Sequence, residues 1–421
     1  MPLTRQYSTS LRDYVKEWID QLKDVEVLIG VPCYNNDDTI AKVISTAAEG
    51  LAEYYPDRKS AILVSDGGSL DDTREVASKA KVPDNCHLMV SIYRGFPGKG
   101  TSLRAIFEAA YLLRADACAV FDSDLRSITP EWVKLLIDPI LDKKAGYVTP
   151  IYKRHKFDGT ITNHIIYPMT RSLYGMNIRQ PIGGDFGFSG ELAGLYAKTK
   201  VWDTDIAKFG IDIWMTTVAI NEGFNVMQAS LGAKIHNPKD PAADLGPMFY
   251  QVVSTMFYLM GEYERKWMGV RGSRDVEIYS NSGEDQKVVP VPVSQNRLIE
   301  EFDDGFNHFE SFYKEVLSDE TFGMLKQTRD DMLSGKSMDF SGELWAKILY
   351  DFAYVFQLWN RNRRRLVDII TPIHFGHTAS YFENVRDRSD EEAEDYVQEQ
   401  AKTFEETKSY LINKFKKWED N

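Results

Sequence analysis

Two aspartates separated by one residue, Asp122 and Asp124, close the apolar run Ala115–Phe121. In an extended strand residues i and i+2 share a face, so both carboxylates are expected to point the same way. Two like charges that close are costly unless a cation stands beside them. Mg²⁺ or Mn²⁺ accepts such oxygens and keeps positions open for phosphate oxygens, so the pair reads as a site for a divalent ion. Three more polar stretches follow apolar runs. Pro32-Cys33-Tyr34-Asn35-Asn36-Asp37-Asp38 either caps the next helix through Asp37 or Asp38, or turns Asn35, Asn36 and Asp37 toward a base and ribose. Ser65-Asp66-Gly67-Gly68-Ser69 is either a plain turn or a place where a planar ligand nears the backbone. Pro97-Gly98-Lys99-Gly100 lacks Walker A spacing. A lysine between glycines at a helix start can still meet an anion, through its ammonium and free N–H groups.

These stretches need elements to hold them. Apolar patterning predicts strands at Val25–Val31, Ser60–Ser65, His87–Ile92, Ala115–Phe121, Gly146–Tyr152 and Asn225–Ala229. Helical spacing occurs at Thr39–Tyr54, Asp72–Lys79, Gly100–Leu113 and Pro130–Leu141. Pro32 is expected to stop the first strand. Such alternation implies an α/β, Rossmann-like domain with a mainly parallel sheet, whose ligands lie beyond the carboxyl ends of the strands. An amphipathic helix precedes it, and Leu298–Leu325, Gly342–Asn360 and Glu391–Lys417 read as helices after it, with a long loop at Arg271–Gln295. The expected organisation is an N-terminal helix (1–24), an α/β domain (25–245) and a mostly α-helical C-terminal region (246–421). The aromatic face of that region offers surface for a homodimer.

Composition narrows the partners. Lys plus Arg number 50 against 63 Asp plus Glu, a net charge of −13. No concentrated basic face is present, so nucleic acid is not expected as a partner. The excess acid favours a bound divalent cation. Three cysteines without C-x-x-C spacing support neither a disulfide framework nor structural zinc. No signal peptide or spanning segment is apparent, so a soluble cytoplasmic protein without membrane attachment is expected.

Together P-x-Y-N, D-G-G-S-x-D-D-T, P-G-K-G and F-D-S-D resemble, in order and spacing, the nucleotide-sugar half of glycosyltransferase-A enzymes, over roughly residues 25–240. Asn36 departs from the Glu usual there. Arg179-Gln180-Pro181-Ile182-Gly183-Gly184-Asp185, Gly210-Ile211-Asp212 and Gly232-Ala233-Lys234-Ile235-His236 are similar to the retaining enzymes that make mannosylglycerate, glucosylglycerate and glucosyl-3-phosphoglycerate. That resemblance implies a nucleotide-sugar donor, UDP-glucose or GDP-mannose. Its donor-binding residues would be Pro32, Tyr34, Asn35, Asn36, Asp66, Gly67, Lys99, Asp122, Ser123, Gln180, Ile182, Gly183 and Gly184. It also implies metal on Asp124 and His236, with Asp122 beside them, and Asp212 next to the donor sugar and acceptor. Arg154, Asp158 and Thr162 match the mannosylglycerate synthase pattern R-x-x-x-D-x-x-x-T. Asp158 and Thr162 would share a face at a helix start and hold the hydroxyls of D-glycerate, while Arg154 clamps its carboxylate. Gly159 and Thr160 complete the acceptor segment. The enzymes acting on 3-phosphoglycerate carry Arg where Thr160 stands, which favours free glycerate and hence compatible-solute synthesis. No nucleophile stands out for a double displacement. The expected route is front-face attack, with a leaving-group phosphate oxygen taking the acceptor proton. A nucleotidylyltransferase would need a Gly- and Arg-rich loop after the first strand, and Pro32–Thr39 has neither. A non-catalytic sugar-nucleotide-binding protein would not need Asp122, Asp124 and His236 intact.

Overall fold

The computed structural model describes residues 7–235, 241–281, 288 and 290–419. The chain divides into two compact units, each assembled from three segments. Unit 1 comprises residues 1–153, 180–239 and 276–288; unit 2 comprises 154–179, 240–275 and 289–421. A single boundary near residue 245 is therefore not what the chain adopts: Arg154–Arg179 already belongs to the second unit. The N-terminal helix is not separate either. Residues Asp13–Leu22 form α1, anchored in unit 1 by Arg12 Nε donating to the Ile92 carbonyl at 2.9 Å and by an Arg94–Asp13 ion pair.

Unit 1 holds strands β1 (Val27–Cys33), β2 (Ser60–Asp66), β3 (Cys86–Ile92), β4 (Ala117–Val120), β5 (Tyr147–Lys153), β7 (Phe186–Ser189), β8 (Val226–Ala233) and β10 (Ile278–Asn281). They lie in the order β10-β8-β5-β7-β4-β1-β2-β3, all parallel except β7, which runs antiparallel between β4 and β5. Val27, Ile29 and Val31 pack with α2 (Ile40–Tyr54) and α5 (Pro130–Leu141). Gly30, between them, lies against Ile106 of α4 (Lys99–Leu112). Both sheet faces are thus covered, which is why the strands read as continuous apolar runs. α3 (Thr73–Ser78), α7 (Gly190–Lys198) and α8 (Ile211–Asn221) complete the unit. Pro32 does not stop β1, which pairs with β2 through Cys33. Its missing N–H falls on the β4 side, where ladder pairing ends at Gly30, so no sheet hydrogen bond is lost.

Unit 2 is mainly helical: α6 (Tyr167–Tyr174), α9 (Pro241–Glu262), α10 (Glu264–Trp267), α11 (Gln295–Val316), α12 (Asp319–Leu333), α13 (Gly342–Leu358), α14 (Arg363–Asp368), α15 (Ile370–Val385) and α16 (Asp390–Glu419). The short strands β6 (Met176–Asn177) and β9 (Arg274–Asp275) pair in parallel. Leu298–Leu325, expected as one helix, is two. The chain turns extended at Leu317, and the Ser318 hydroxyl accepts from the Thr321 N–H to start α12. Within the expected loop Arg271–Gln295, β10 instead adds an edge strand to the sheet of unit 1. The core of unit 2 encloses three buried histidines. The ring of His164 lies 4.8 Å from that of His377 and 5.6 Å from that of His374, and the Trp345 ring stacks on His377 at 4.9 Å. No described helix is long and apolar enough to cross a membrane.

Candidate active site

The loops after β1 and β2 spend most of their polar groups on one another. Asp66 is fully buried; its carboxylate accepts from the N–H groups of Gly68 and Ser69 and from the Ser69 hydroxyl at 2.7 Å. It braces the turn, in place of the ligand-facing role expected for it. Asn35, held at φ 54°, accepts from the Leu70 N–H through Oδ1. Asn36 Oδ1 accepts from the Tyr34 N–H and from the Ser123 hydroxyl at 2.7 Å, which ties the β1 loop to the aspartate turn. Neither Asp37 nor Asp38 caps α2: the N-cap is Thr39, whose hydroxyl donates to the Ser123 carbonyl. This edge presents Tyr34, 55% exposed, alongside exposed Asn35, Asp37, Asp38 and Leu70, with Gly67 leaving room against the tyrosine ring.

β4 ends at Val120, so Asp122 and Asp124 lie in the loop beyond it and the strand argument for a shared face does not apply. Asp122 is instead gripped from two sides. Its Oδ1 lies 2.9 Å from Lys99 Nζ and its Oδ2 2.8 Å from Lys234 Nζ. Both oxygens are on ammonium groups, where the resemblance had implied a place beside the metal. Burial disfavours its charge, but Lys234 and Lys99 outweigh that and hold the carboxyl well below the usual carboxylate range. Lys99 also meets Asp212 Oδ2 at 3.1 Å. Burial opposes its charge too, yet Asp122 and Asp212 keep its pKa above the ordinary lysine value. Asp212, at the start of α8, is raised by burial, and its Oδ1 is buried without a hydrogen-bond partner. Asp124 is half-buried in the same loop. His236, expected as a metal ligand, lies outside the described residues. Among the described residues no three His, Cys, Asp or Glu gather into a metal-binding group.

The Gly98-Lys99-Gly100 segment is not an open anion nest. The Gly98 N–H donates to the Tyr93 hydroxyl and the Gly100 N–H to the Lys208 carbonyl. A Cβ on Gly100 would stand 1.9 Å from the Ile206 carbonyl oxygen, so the glycines allow α4 to start close against that loop. They aim one lysine, and its ammonium carries the chemistry. In the Gln180–Asp185 stretch, Gln180 Nε2 donates to the Tyr152 carbonyl, while its Oε1 is buried without a partner. Ile182 is half-buried, and Gly183 and Gly184 are buried. Two residues missed from the sequence belong here. Lys234 and Asp185 join at 2.9 Å, and Tyr152 donates to Asp185. Both stand inside stretches that carry the family resemblance, Arg179–Asp185 and Gly232–His236, but were given no role there; Asp185 directly precedes β7 and Lys234 directly follows β8.

The acceptor candidates lie in unit 2. Arg154 Nη1 is 3.4 Å from Asp158 Oδ2, and the Gly159 N–H donates to Asp158 Oδ1. Asp158 precedes the helix, which begins at Thr160 and continues as a π-helical turn over Thr162–Ile166, so Asp158 and Thr162 do not share a helical face as expected. Arg179, at the head of the Arg179–Asp185 stretch, forms a two-pronged pair with Glu394 and donates to Asn163. Lys156 donates to the carbonyls of Val385, Arg386 and Arg388.

Residues 28–195 match the family described as Glycosyl transferase family 2. The chain is 25% identical over 315 residues to glucosyl-3-phosphoglycerate synthase of Petrotoga mobilis, covering 69% of this chain and 91% of that protein. It is 28% identical over 174 residues to glycosyltransferase AglJ of Haloferax volcanii, covering 39% of this chain and 50% of the relative. A crystal structure of glucosyl-3-phosphoglycerate synthase from Mycobacterium tuberculosis, with Mg²⁺ and uridine diphosphate, aligns with a TM-score of 0.45 at 24% identity, covering 58% of this chain and 83% of that one. Residues 28–195 of the first unit, on their mainly parallel sheet, are thus similar to the family described as Glycosyl transferase family 2.

Proposed function

We propose that the protein is a retaining hexosyltransferase that moves glucose or mannose from UDP-glucose or GDP-mannose to the 2-hydroxyl of D-glycerate, in the cytoplasm. The observation that carries this reading is the Lys99–Asp212 pair: a buried ammonium held beside a carboxylate that keeps one unpartnered oxygen. Lys99 would meet the donor diphosphate, and Asp212 Oδ1 would accept from a sugar or acceptor hydroxyl and orient it. Asp212 already shares its other oxygen with Lys99, which suits an orienting group better than a nucleophile. The acceptor proton would then pass to a phosphate oxygen of the departing diphosphate. Tyr34 offers an exposed aromatic face for a base.

Mg²⁺ or Mn²⁺ would be held by Asp124, because such ions take one or two protein carboxylates and complete their shell with phosphate oxygens and water. Bound there, together with His236, the ion would neutralise the leaving diphosphate. Arg154 would clamp the glycerate carboxylate, with Asp158 and Thr162 supplying polar partners. Arg179 and Lys156 are engaged within unit 2, which leaves the segment less cationic and favours glycerate over its phosphate. The Petrotoga relative's name supports the second reading, transfer to 3-phosphoglycerate.

The test is a matrix of UDP-glucose and GDP-mannose against D-glycerate and 3-phosphoglycerate with Mn²⁺, products read by mass and anomeric configuration by NMR. One donor should transfer with retention, and EDTA should abolish turnover. No transfer to either acceptor sinks the proposal, and an inverted product sinks its stereochemistry.

A further inference from the structure

Lys234 has no donor left for a ligand. Its ammonium donates to Asp122 Oδ2 at 2.8 Å, to the Gly183 carbonyl at 2.8 Å and to Asp185 Oδ2 at 2.9 Å, and a lysine has three N–H groups to give. The Tyr152 ring lies 5.1 Å away. The side chain is 5% exposed and that of Asp185 not at all. The backbone closes around this contact. Gly184 has φ +93°, and a Cβ there would stand 2.1 Å from Asp122 Oδ2 and 3.0 Å from Lys234 Nζ. An ammonium so enclosed acts on what it holds. It takes the one oxygen of Asp122 that Lys99 does not use.

We propose that Lys234 is a positioning residue for the donor: by neutralising Asp122 from beneath, it leaves the charge of Lys99 for the donor diphosphate and Asp212. The inference rests on the nucleotide-sugar reading above. With Lys234 in place, three carboxylates (Asp122, Asp185, Asp212) face two ammonium groups. Without it, Lys99 is the one ammonium left to these three in the contacts described, and it is drawn onto Asp122. An anionic donor then meets a more negative site with its cation already committed.

The test titrates UDP and GDP, each with Mn²⁺, into wild type, Lys234→Met and the double variant Lys234→Met/Asp185→Asn by calorimetry, alongside melting temperatures and steady-state kinetics with the donor varied. Wild type should bind one of the two nucleotides, and Lys234→Met should bind it about tenfold or more weakly. The donor KM should rise while the acceptor KM stays put. The double variant removes the carboxylate left without a cation and should recover most of the lost affinity. A purely packing role would lower the melting temperature of both variants and leave the affinity of the folded protein unchanged. A folded Lys234→Met with wild-type affinity overturns the inference alone. If that variant does not fold, the double variant decides: near wild-type affinity supports the charge account, and a tenfold loss overturns it. Wild type that binds neither nucleotide overturns the proposed function, and this inference with it.

Discussion

Each unit buries a cluster of ionisable side chains, and burial has opposite outcomes in the two. In unit 1, Lys99 and Asp122 stay charged because each finds opposite charges at hydrogen-bond distance. In unit 2, His164, His374 and His377 meet one another, Trp345 and Tyr381, with no carboxylate among those contacts. Burial therefore drives their pKa values down, that of His374 to about 4, and leaves them neutral. Desolvation alone does not settle the charge of a buried group; its neighbours do. The first cluster keeps charges that can act on a ligand, and the second gives them up and serves as core.

The comparison breaks hardest at Lys99. Replacing it with Met should reduce hexosyl transfer by about 10²–10³-fold, since its ammonium is the group proposed to meet the leaving diphosphate. A variant with undiminished turnover would place unit 1's cluster beside unit 2's as scaffolding. The next effect is on stability. An unfolded imidazole takes up a proton near 6.5, whereas folded His374 does so only near 4. Below about pH 6.5 the unfolded chain therefore binds the extra proton. The stabilisation is complete above that pH and is lost as pH falls toward 4, by up to about 3 kcal/mol for His374 alone. Denaturant unfolding between pH 7 and 4.5 should show this decline, and His374→Gln should flatten it. An equally steep curve for the variant would assign the acid sensitivity elsewhere. The smallest effect belongs to a pair that is not buried. Lys402 and Glu406 lie 3.8 Å apart with side chains 68% and 65% exposed, and Lys402→Ala should shift stability by no more than about 0.5 kcal/mol in the same assay.

The strands and helices flanked by clear punctuation were legible from the chain. α5 runs Pro130–Leu141 as expected, and β1 to β5 and β8 lie within a few residues of their predicted spans. β7 was not legible: Phe186–Ser189 is four residues with a glycine inside, and only its partners β4 and β5 make it a strand. β10 hides in a polar stretch and depends on β8 in the same way. At the site, residue type and position after a strand singled out Lys99 and Asp122, while Asp212, in the first turn of α8, was marked only by the family resemblance. The contact between Lys99 and Asp212 spans 113 residues, which no local pattern encodes. Asp66 misleads because a carboxylate before two glycines reads the same whether it faces a ligand or staples its own turn. Only the three donors converging on its oxygens distinguish the two.

The threading of the chain through both units has a consequence for synthesis. Arg154–Arg179 emerges from the ribosome long before most of the unit it completes. The Lys156 N–H finds its Asp390 partner 234 residues later, and the ring of His164 must await α15 for its neighbours. The sheet likewise gains its outer strand only once Ile278–Asn281 has been made. Unit 1 gains its last segment only by residue 288 and unit 2 draws on residues up to 421, so neither can close when only the first 245 residues have been made. Cutting the gene near codon 245 would leave one fragment without the outer strand of its sheet and the other without Arg154–Arg179.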